Sequence, residues 1–310
     1  MDRFEKEQIE FGRRMENLLC DLEKLIPFFE EKTITDIFVY GNGTVKVNDF
    51  VTGACDTGIV LTVADRMRII NSLASVADTP IDKWVRPTLE SIIPKYNVRT
   101  TAILPPWTVA PELTFRRPAD KIFTIEEYLE DGRITQALYD KIVFHIERRS
   151  NIVISGSTGS GKTTFTNACI KKMLEYTPDE RIYIVEDTPE LQCESENKTQ
   201  LYIRKEQAVV AIQTALRWTP KRIIFGELRS GEVAVELLEA WNTGHPGNIT
   251  TIHADNAAST IPRLEGLLRQ IFKGGLPDLA DSIQLVVHLS NKKVVEALTV
   301  KEIQEGKMKS

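Results

Sequence analysis

Short apolar runs alternate with segments of helical periodicity in the second half of the chain. Four such runs, rich in β-branched residues, lie at positions 151–155, 181–185, 222–225 and 248–252. Runs of this length predict buried strands, and helical segments between most of them are typical of crossover connections. The second half is therefore predicted to form an α/β domain around a parallel sheet.

The first half has a different pattern. Residues 35–40 and 44–48 predict two strands of a hairpin around a Gly-Asn-Gly turn. A helix is expected at about 63–77, and further short strands are expected near 98–104 and 112–117. This mixture predicts a smaller α+β domain.

The length of 310 residues suits two domains. We expect the α+β domain over residues 1–120, a linker containing a short helix over 121–135, and the α/β domain over 136–310.

The chain begins with an amphipathic segment. Apolar side chains recur at helical spacing over residues 3–26, and Pro27 is expected to end this helix. The apolar face would either pack on its own domain or bind a membrane surface or a partner. Charges of both signs on the polar face favour packing.

Composition and charge exclude several classes of protein. The net charge of −5, with Lys and Arg interspersed among acids, gives no support to a general role in coating nucleic acid and leaves only a local basic patch open, so no direct nucleic-acid binding is expected. Four scattered cysteines predict neither a disulfide framework nor a zinc site. No apolar run approaches the ~20 residues that span a bilayer, and the N-terminus has no secretory pattern. The protein is expected to be soluble, or at most peripheral to a membrane.

A glycine-rich loop carries the strongest chemical signal. Residues 156–163 match the pattern GxxxxGK followed by Ser or Thr, between a predicted strand and a helix predicted over 163–176. Lys162 would pair with the β- and γ-phosphates of a nucleoside triphosphate, and the Thr163 hydroxyl would coordinate Mg²⁺. The residues expected to hold the phosphates are Gly156, Ser157, Thr158, Gly159, Ser160, Gly161, Lys162, Thr163 and Thr164.

Two other strands end in acids. Glu186 follows the run 181–185, and Glu227 follows 222–225. The carboxyl ends of parallel strands share the edge at which a phosphate loop sits. Glu227 would therefore hold Mg²⁺ or act on the attacking water, and Glu186 is a second candidate for the general base. The sequence does not divide these roles.

Histidine and arginine side chains complete the candidate site. His253 ends the run 248–252, where it would either contact the γ-phosphate and its water or serve only a structural role. Guanidinium groups neutralise charge during phosphoryl transfer. The arginine candidates are Arg116 and Arg117 in the first domain, and Arg217 and Arg229 in the second.

Four stretches together resemble the secretion ATPase superfamily, which includes motors of type II and type IV secretion, pili and conjugation. They match its Walker A, Asp box, Walker B and His box: GSTGSGKTT, IVEDTPEL, ALRWTPKRIIFGELRSGE and NTGHPGNITTIHADNA. The chain most resembles the TrbB-type conjugal-transfer ATPases, through stretches 86–90, 104–106 and 114–117 and Pro262-Arg263-Leu264. The likeness covers about residues 33–290.

This resemblance implies a RecA-like P-loop ATPase domain that follows the smaller domain along the chain. It also implies a function. The protein would be an ATP-hydrolysing, Mg²⁺-dependent cytoplasmic motor of a type IV secretion or conjugal DNA-transfer apparatus. It would work as a ring, expected to be a hexamer, on a membrane-embedded complex, with peripheral association at the inner face of the cytoplasmic membrane left open. The alternative within the superfamily is a type II secretion or twitching-pilus motor. Outside it, the alternatives are a small-molecule kinase and a DNA-acting recombinase.

The resemblance also implies roles for individual residues. Arg116 or Arg117 would contact the nucleotide phosphates, and His245 and His253 would be the pair of the His box. Glu186 would be the Asp-box glutamate and Glu227 the Walker B glutamate. Lys221 departs from the pattern, because the superfamily usually has an Asp just before the Walker B strand.

Overall fold

A computed structural model describes residues 2–49, 51–117 and 122–308. The chain divides into two compact units, residues 1–120 and 121–310. The domain boundary expected after residue 120, and the first residue of the expected linker, lie outside the described residues.

The first unit contains a six-stranded antiparallel sheet in the order β3-β2-β1-β6-β5-β4. Val39 pairs with Val45 across the predicted hairpin, which is confirmed. The described elements are α1 (Arg3–Asp21), α2 (Ile26–Glu30), β1 (Ile34–Val39), β2 (Thr44–Asp49), β3 (Gly53–Val60), α3 (Val63–Val76), β4 (Thr88–Ile93), β5 (Val98–Ile103) and β6 (Glu112–Arg116).

The N-terminal helix is shorter than its periodicity predicts. Helix α1 ends at Asp21, and Pro27 lies in the first turn of the separate helix α2, where its missing N–H costs nothing. Leu18 is buried in the core of the first unit, whereas Phe4 and Phe11 are exposed. The second half of α1 therefore packs on its own unit.

The second unit contains a seven-stranded sheet in the order β13-β12-β7-β11-β10-β8-β9. Only β13, at one edge, runs antiparallel to its neighbour. The described elements are α4 (Ile125–Glu130), α5 (Gln136–Glu147), β7 (Ile152–Gly156), α6 (Lys162–Tyr176), β8 (Ile182–Glu186), β9 (Lys198–Tyr202), α7 (Ala208–Arg217), β10 (Arg222–Leu228), α8 (Gly231–Asn242), β11 (Ile249–Ile252), α9 (Ala257–Leu268), α10 (Leu279–Ser282), β12 (Leu285–Ser290), β13 (Lys293–Thr299) and α11 (Val300–Met308).

The four predicted parallel strands are β7, β8, β10 and β11, and all four are confirmed. Every residue of β7, β8 and β11 is buried, because helices cover both faces of the sheet. Their carboxyl ends meet at one edge, which carries Gly156, Glu186, Glu227 and His253.

Five strands were not predicted. One of them, β12, contains the buried apolar run Leu-Val-Val-His-Leu, whereas others have weaker patterns. Edge strand β3 has the sequence Gly-Ala-Cys-Asp-Thr-Gly-Ile-Val and is mostly exposed, so it lacks the alternation that marks a half-buried strand. Strands β4, β9, β12 and β13 were also missed.

The segment expected to be a linker packs into the second unit instead. Ile125, Tyr128 and Ile134 are buried in its core, and the ring of Tyr128 lies 5.1 Å from that of Phe165. The short helix expected there is α4. No helix among the described residues combines the length and the apolar character needed to cross a membrane.

Candidate nucleotide-binding site

A tight loop joins β7 to α6. A Cβ at Gly156 would clash with Ser160 Oγ and with the Leu289 carbonyl oxygen, so only glycine fits. Gly161 caps α6 in the left-handed conformation with φ of 96°. The loop thus ends at the N-terminus of a 15-residue helix, where free N–H groups and the helix dipole favour an anion.

Lys162 lies over this loop. Its Nζ donates hydrogen bonds to the carbonyl oxygens of Gly156, at 2.9 Å, and Ser157, at 3.0 Å. Burial lowers the pKa of Lys162, while the negative charges of Glu227 and Glu190 oppose that shift. The ammonium group is therefore held beside the helix N-terminus.

Glu227 and its neighbours form a continuous polar network. Glu227 Oε2 accepts a hydrogen bond of 2.8 Å from Arg229, whose other terminal nitrogen lies 2.6 Å from Asp187 Oδ2. His253 Nε2 lies 2.8 Å from Glu227 Oε1, and its Nδ1 lies 3.3 Å from Lys162 Nζ. The structure thus brings together Lys162, Glu227, Arg229 and His253, which were predicted from three separate stretches.

The network keeps Glu227 ionised. Burial alone would raise its pKa, but the hydrogen bond from Arg229 and the positive charges of Arg229 and Lys162 lower the pKa of Glu227 below its ordinary value. The group is therefore a carboxylate at neutral pH, able to accept a proton or bind a cation.

Glu186 occupies a different environment. Its Oε2 accepts hydrogen bonds from the backbone N–H groups of Glu190 and Leu191, and its Oε1 accepts one from Gln200. Burial raises the pKa of Glu186 to about 7. In this arrangement Glu186 holds the loop after β8, and both of its oxygens are occupied.

Glu190 is a site residue that sequence reasoning missed. Its Oε2 accepts a 3.0 Å hydrogen bond from the Thr163 hydroxyl, and its carbonyl oxygen accepts one from Asn167. The signal was present, because Glu190 is the second acid after β8, only four residues beyond Glu186.

The oxygen atoms at this edge suit Mg²⁺, which prefers hydroxyl and carboxylate ligands. Thr163 and Glu190 supply one of each. Glu227 Oε1 is buried and accepts no hydrogen bond among the described residues, with His253 Nε2 2.8 Å away. An unsatisfied buried carboxylate oxygen is a natural cation ligand.

Three of the remaining predicted residues are arginines. In the first unit, Arg116 Nε lies 3.8 Å from Asp36 Oδ1, and Arg117 donates to the carbonyl oxygens of Glu31 and Ile34. Arg217 ends α7, at the opposite edge of the sheet from the loop.

The two histidines of the expected pair are separated by strand β11. His245 precedes the strand, with Nδ1 3.0 Å from the Ala240 carbonyl oxygen, whereas His253 follows it. A four-residue strand places them on the order of 13 Å apart along its axis. The two histidines that the resemblance pairs therefore lie at opposite ends of β11, and of the two His253 is at the phosphate-loop end.

The chain is similar to one protein family and to several named proteins. Residues 57–305 match the family described as type II/IV secretion system protein. The chain is 33% identical to conjugal transfer protein TrbB of Rhizobium radiobacter, over 89% of this chain and 85% of that protein. It is 28% identical to type IV secretion system protein VirB11 of Bartonella quintana, over 83% of each.

Two solved structures share the fold. The Legionella pneumophila ATPase DotB is 21% identical with a TM-score of 0.63, covering 93% of this chain and 83% of DotB. The pilus retraction motor PilT, solved with bound ADP, is 19% identical with a TM-score of 0.66, covering 92% and 86%. The resemblance found in the sequence is confirmed: the chain belongs to the type II/IV secretion system protein family and has the fold of the ATPase DotB and the motor PilT.

Proposed function

We propose that this protein is a Mg²⁺-dependent ATPase that drives a type IV secretion apparatus for conjugal DNA transfer. The observation that carries this proposal is the network joining Lys162, His253 and Glu227 beside the phosphate loop. Such a network places a phosphate-binding ammonium and an ionised carboxylate at one site, which is what phosphoryl transfer to water requires.

The roles of the residues follow from their contacts. Lys162 exchanges the loop carbonyl oxygens for the β- and γ-phosphates of ATP. Glu227, kept ionised by Arg229, orients the attacking water and accepts its proton. His253 contacts both groups and so couples the nucleotide to Glu227. Arg116 and Arg117 keep their expected contact with the phosphates as a prediction.

Thr163 and Glu227 would hold Mg²⁺, and Glu190 is added to them because it contacts the Thr163 hydroxyl. When bound, the ion neutralises charge on the phosphate oxygens. Glu186 is assigned to positioning the loop that carries Glu190. The proposal thereby places the general base at Glu227.

Conjugal transfer is favoured over the pilus alternative by the named relatives. TrbB and VirB11 align over most of this chain, whereas PilT supports the fold alone. We propose a ring of six copies in the cytoplasm, peripheral to the membrane where it meets a membrane-embedded complex.

The test measures ATP hydrolysis by the purified chain, with Mg²⁺ and after chelation by EDTA. Wild-type activity should be lost in EDTA, and Lys162→Ala should lower it by about 10²-fold or more, because charge stabilisation is usually the largest catalytic contribution. Lys171→Ala, on the same helix but away from the loop, is the control. Equal activity of Lys162→Ala and wild type would refute the proposed site.

The ring is tested by size analysis with and without a non-hydrolysable ATP analogue. We expect a particle with the mass of six chains, and an ATPase rate per chain that rises with protein concentration. A monomer at all concentrations with constant specific activity would refute the ring.

A further inference from the structure

A pocket of about 480 Å³ opens beside the phosphate loop and extends to helix α9. Its lining comes from the loop, from the segment after β11 and from one face of α9: Ser157, Thr158, His253, Ala254, Asp255, Ser259 and Arg263. Ser259 and Arg263 are four residues apart and therefore share a face of the helix. Arg263 supplies the one guanidinium group of this lining.

Arg263 is not committed to another group. It is exposed, and among the described residues its guanidinium forms no hydrogen bond or ion pair. Asp255 lines the same pocket without forming an ion pair with it. By contrast, Arg229 is engaged by two carboxylates, Asp187 and Glu227. In the second unit, the uncommitted guanidinium at the phosphate loop thus belongs to α9.

The position of the pocket indicates which phosphate it receives. His253 lines the pocket and also contacts Lys162 and Glu227. In the proposed reaction these two groups handle the γ-phosphate and the water that attacks it. The pocket therefore adjoins the terminal phosphate rather than the α-phosphate or the base.

We propose that this pocket is a subsite for the terminal phosphate of a nucleoside triphosphate, and that Arg263 binds that phosphate. The inference rests on the proposed function and assigns a residue that the four recognised stretches do not include. The planar guanidinium donates two parallel hydrogen bonds to phosphate oxygens and is always charged. The subsite would distinguish ATP from ADP within a single chain.

Calorimetric binding of a non-hydrolysable ATP analogue and of ADP tests the subsite. Arg263→Ala should weaken binding of the analogue by about 10- to 100-fold, the usual effect of losing hydrogen bonds between charged groups, and change ADP binding by less than about twofold. Arg263→Lys keeps the charge without the planar guanidinium, so its affinity for the analogue should lie between those of wild type and Arg263→Ala. Arg269→Ala, just after the same helix and outside the pocket, should leave both affinities unchanged.

The outcomes separate the subsite from the proposed function. If wild-type protein binds both nucleotides and Arg263→Ala keeps the same affinity ratio, the subsite is overturned alone. Equal weakening of both ligands would also overturn it, because the role would then be structural. Wild-type protein that binds neither nucleotide would overturn the proposed function as well. Thermal unfolding midpoints of the variants should match that of wild type.

Discussion

The two ends of strand β10 each carry an arginine–carboxylate cluster, and the two clusters differ in burial. At the start of the strand, Arg222 has a side chain 1% exposed and lies 2.7 Å from Glu180. At its end, Arg229 has a side chain 45% exposed and lies 2.8 Å from Glu227. The carboxylates are about equally buried, with Glu180 15% and Glu227 17% exposed, so the two clusters differ in the exposure of the arginine.

The buried cluster is centred on Arg222. Besides Glu180, Arg222 donates to the Gly247 carbonyl oxygen at 2.7 Å and to Thr177 Oγ1 at 3.0 Å, so each guanidinium nitrogen has a partner. Arg149 forms a second ion pair with Glu180. A desolvated guanidinium with every nitrogen hydrogen-bonded fixes structure and leaves no place for a ligand on Arg222, although Arg149 Nε is buried without a hydrogen-bond partner among the described residues.

In the open cluster the unsatisfied atom is an acceptor: Glu227 Oε1 accepts no hydrogen bond from the described residues, although His253 Nε2 lies 2.8 Å from it. The difference explains why one end of the strand serves stability and the other chemistry. Lys221, which stands where the superfamily usually has an Asp, lies at the structural end of the strand. There its backbone contacts Arg181 and Arg149, remote from the phosphate loop.

The largest expected effect is on the rate of ATP hydrolysis, which should distinguish Glu227 from Glu180. Glu227→Gln should lower the ATP hydrolysis rate by about 10²- to 10⁴-fold, the usual contribution of a general base. Glu180→Gln should leave the rate per folded chain within about twofold, because Glu180 is at the far end of the strand. Phosphate release under saturating ATP measures both rates.

A rate for Glu227→Gln within tenfold of wild type would contradict the assignment of the base. A large loss in Glu180→Gln, with the chain folded, would contradict the division of β10 into a structural and a chemical end. Circular dichroism establishes that each variant is folded.

The free energy of unfolding should respond in the reverse order, with the larger loss at the start of β10. Arg222→Met keeps the side-chain length but leaves Glu180 with one of its two ion pairs in a buried site, which is expected to cost about 3 kcal/mol or more of unfolding free energy. Arg229→Met breaks a half-exposed pair and should stay within about 1 kcal/mol of wild type. Urea denaturation measures both.

Equal loss of stability in the two variants would show that burial does not distinguish the clusters. A neutral or stabilising Arg222→Met would mean that the methionine side chain packs well enough to replace the ion pair, a known outcome for buried pairs.

The sequence predicted the elements that signal themselves locally. The phosphate loop and the strands β7, β8, β10 and β11 follow from glycine spacing and β-branched runs, and these also located Glu186, Glu227 and His253 at one edge. Which partner each side chain takes was not predictable. Glu186 accepts a hydrogen bond from Gln200, which lies on β9, a strand that the pattern did not reveal.

The same limit applies to the histidines and to Arg263. His245 and His253 lie in one continuous stretch, but the four-residue strand β11 between them sends them to opposite edges. Arg263 follows Pro262 on a helix that is distant from the loop in sequence, so only the folded structure brings it to the pocket.

The smallest expected effect concerns Glu186, a carboxylate at the chemical edge that is as buried as the structural cluster. Burial raises its pKa to about 7, so between about pH 4.5 and pH 7 the folded state binds a proton that the unfolded state has lost. The unfolding free energy should therefore fall as pH rises through this range, by at most about 3 kcal/mol from Glu186. Glu186→Gln cannot titrate, and its unfolding free energy should fall less steeply than that of wild type between pH 5 and pH 8. Because the comparison uses the slope, a constant loss caused by the new amide does not affect it. Urea titrations of both proteins across this range give the slopes, and parallel slopes would mean that Glu186 is ionised in the folded state and belongs with Glu227.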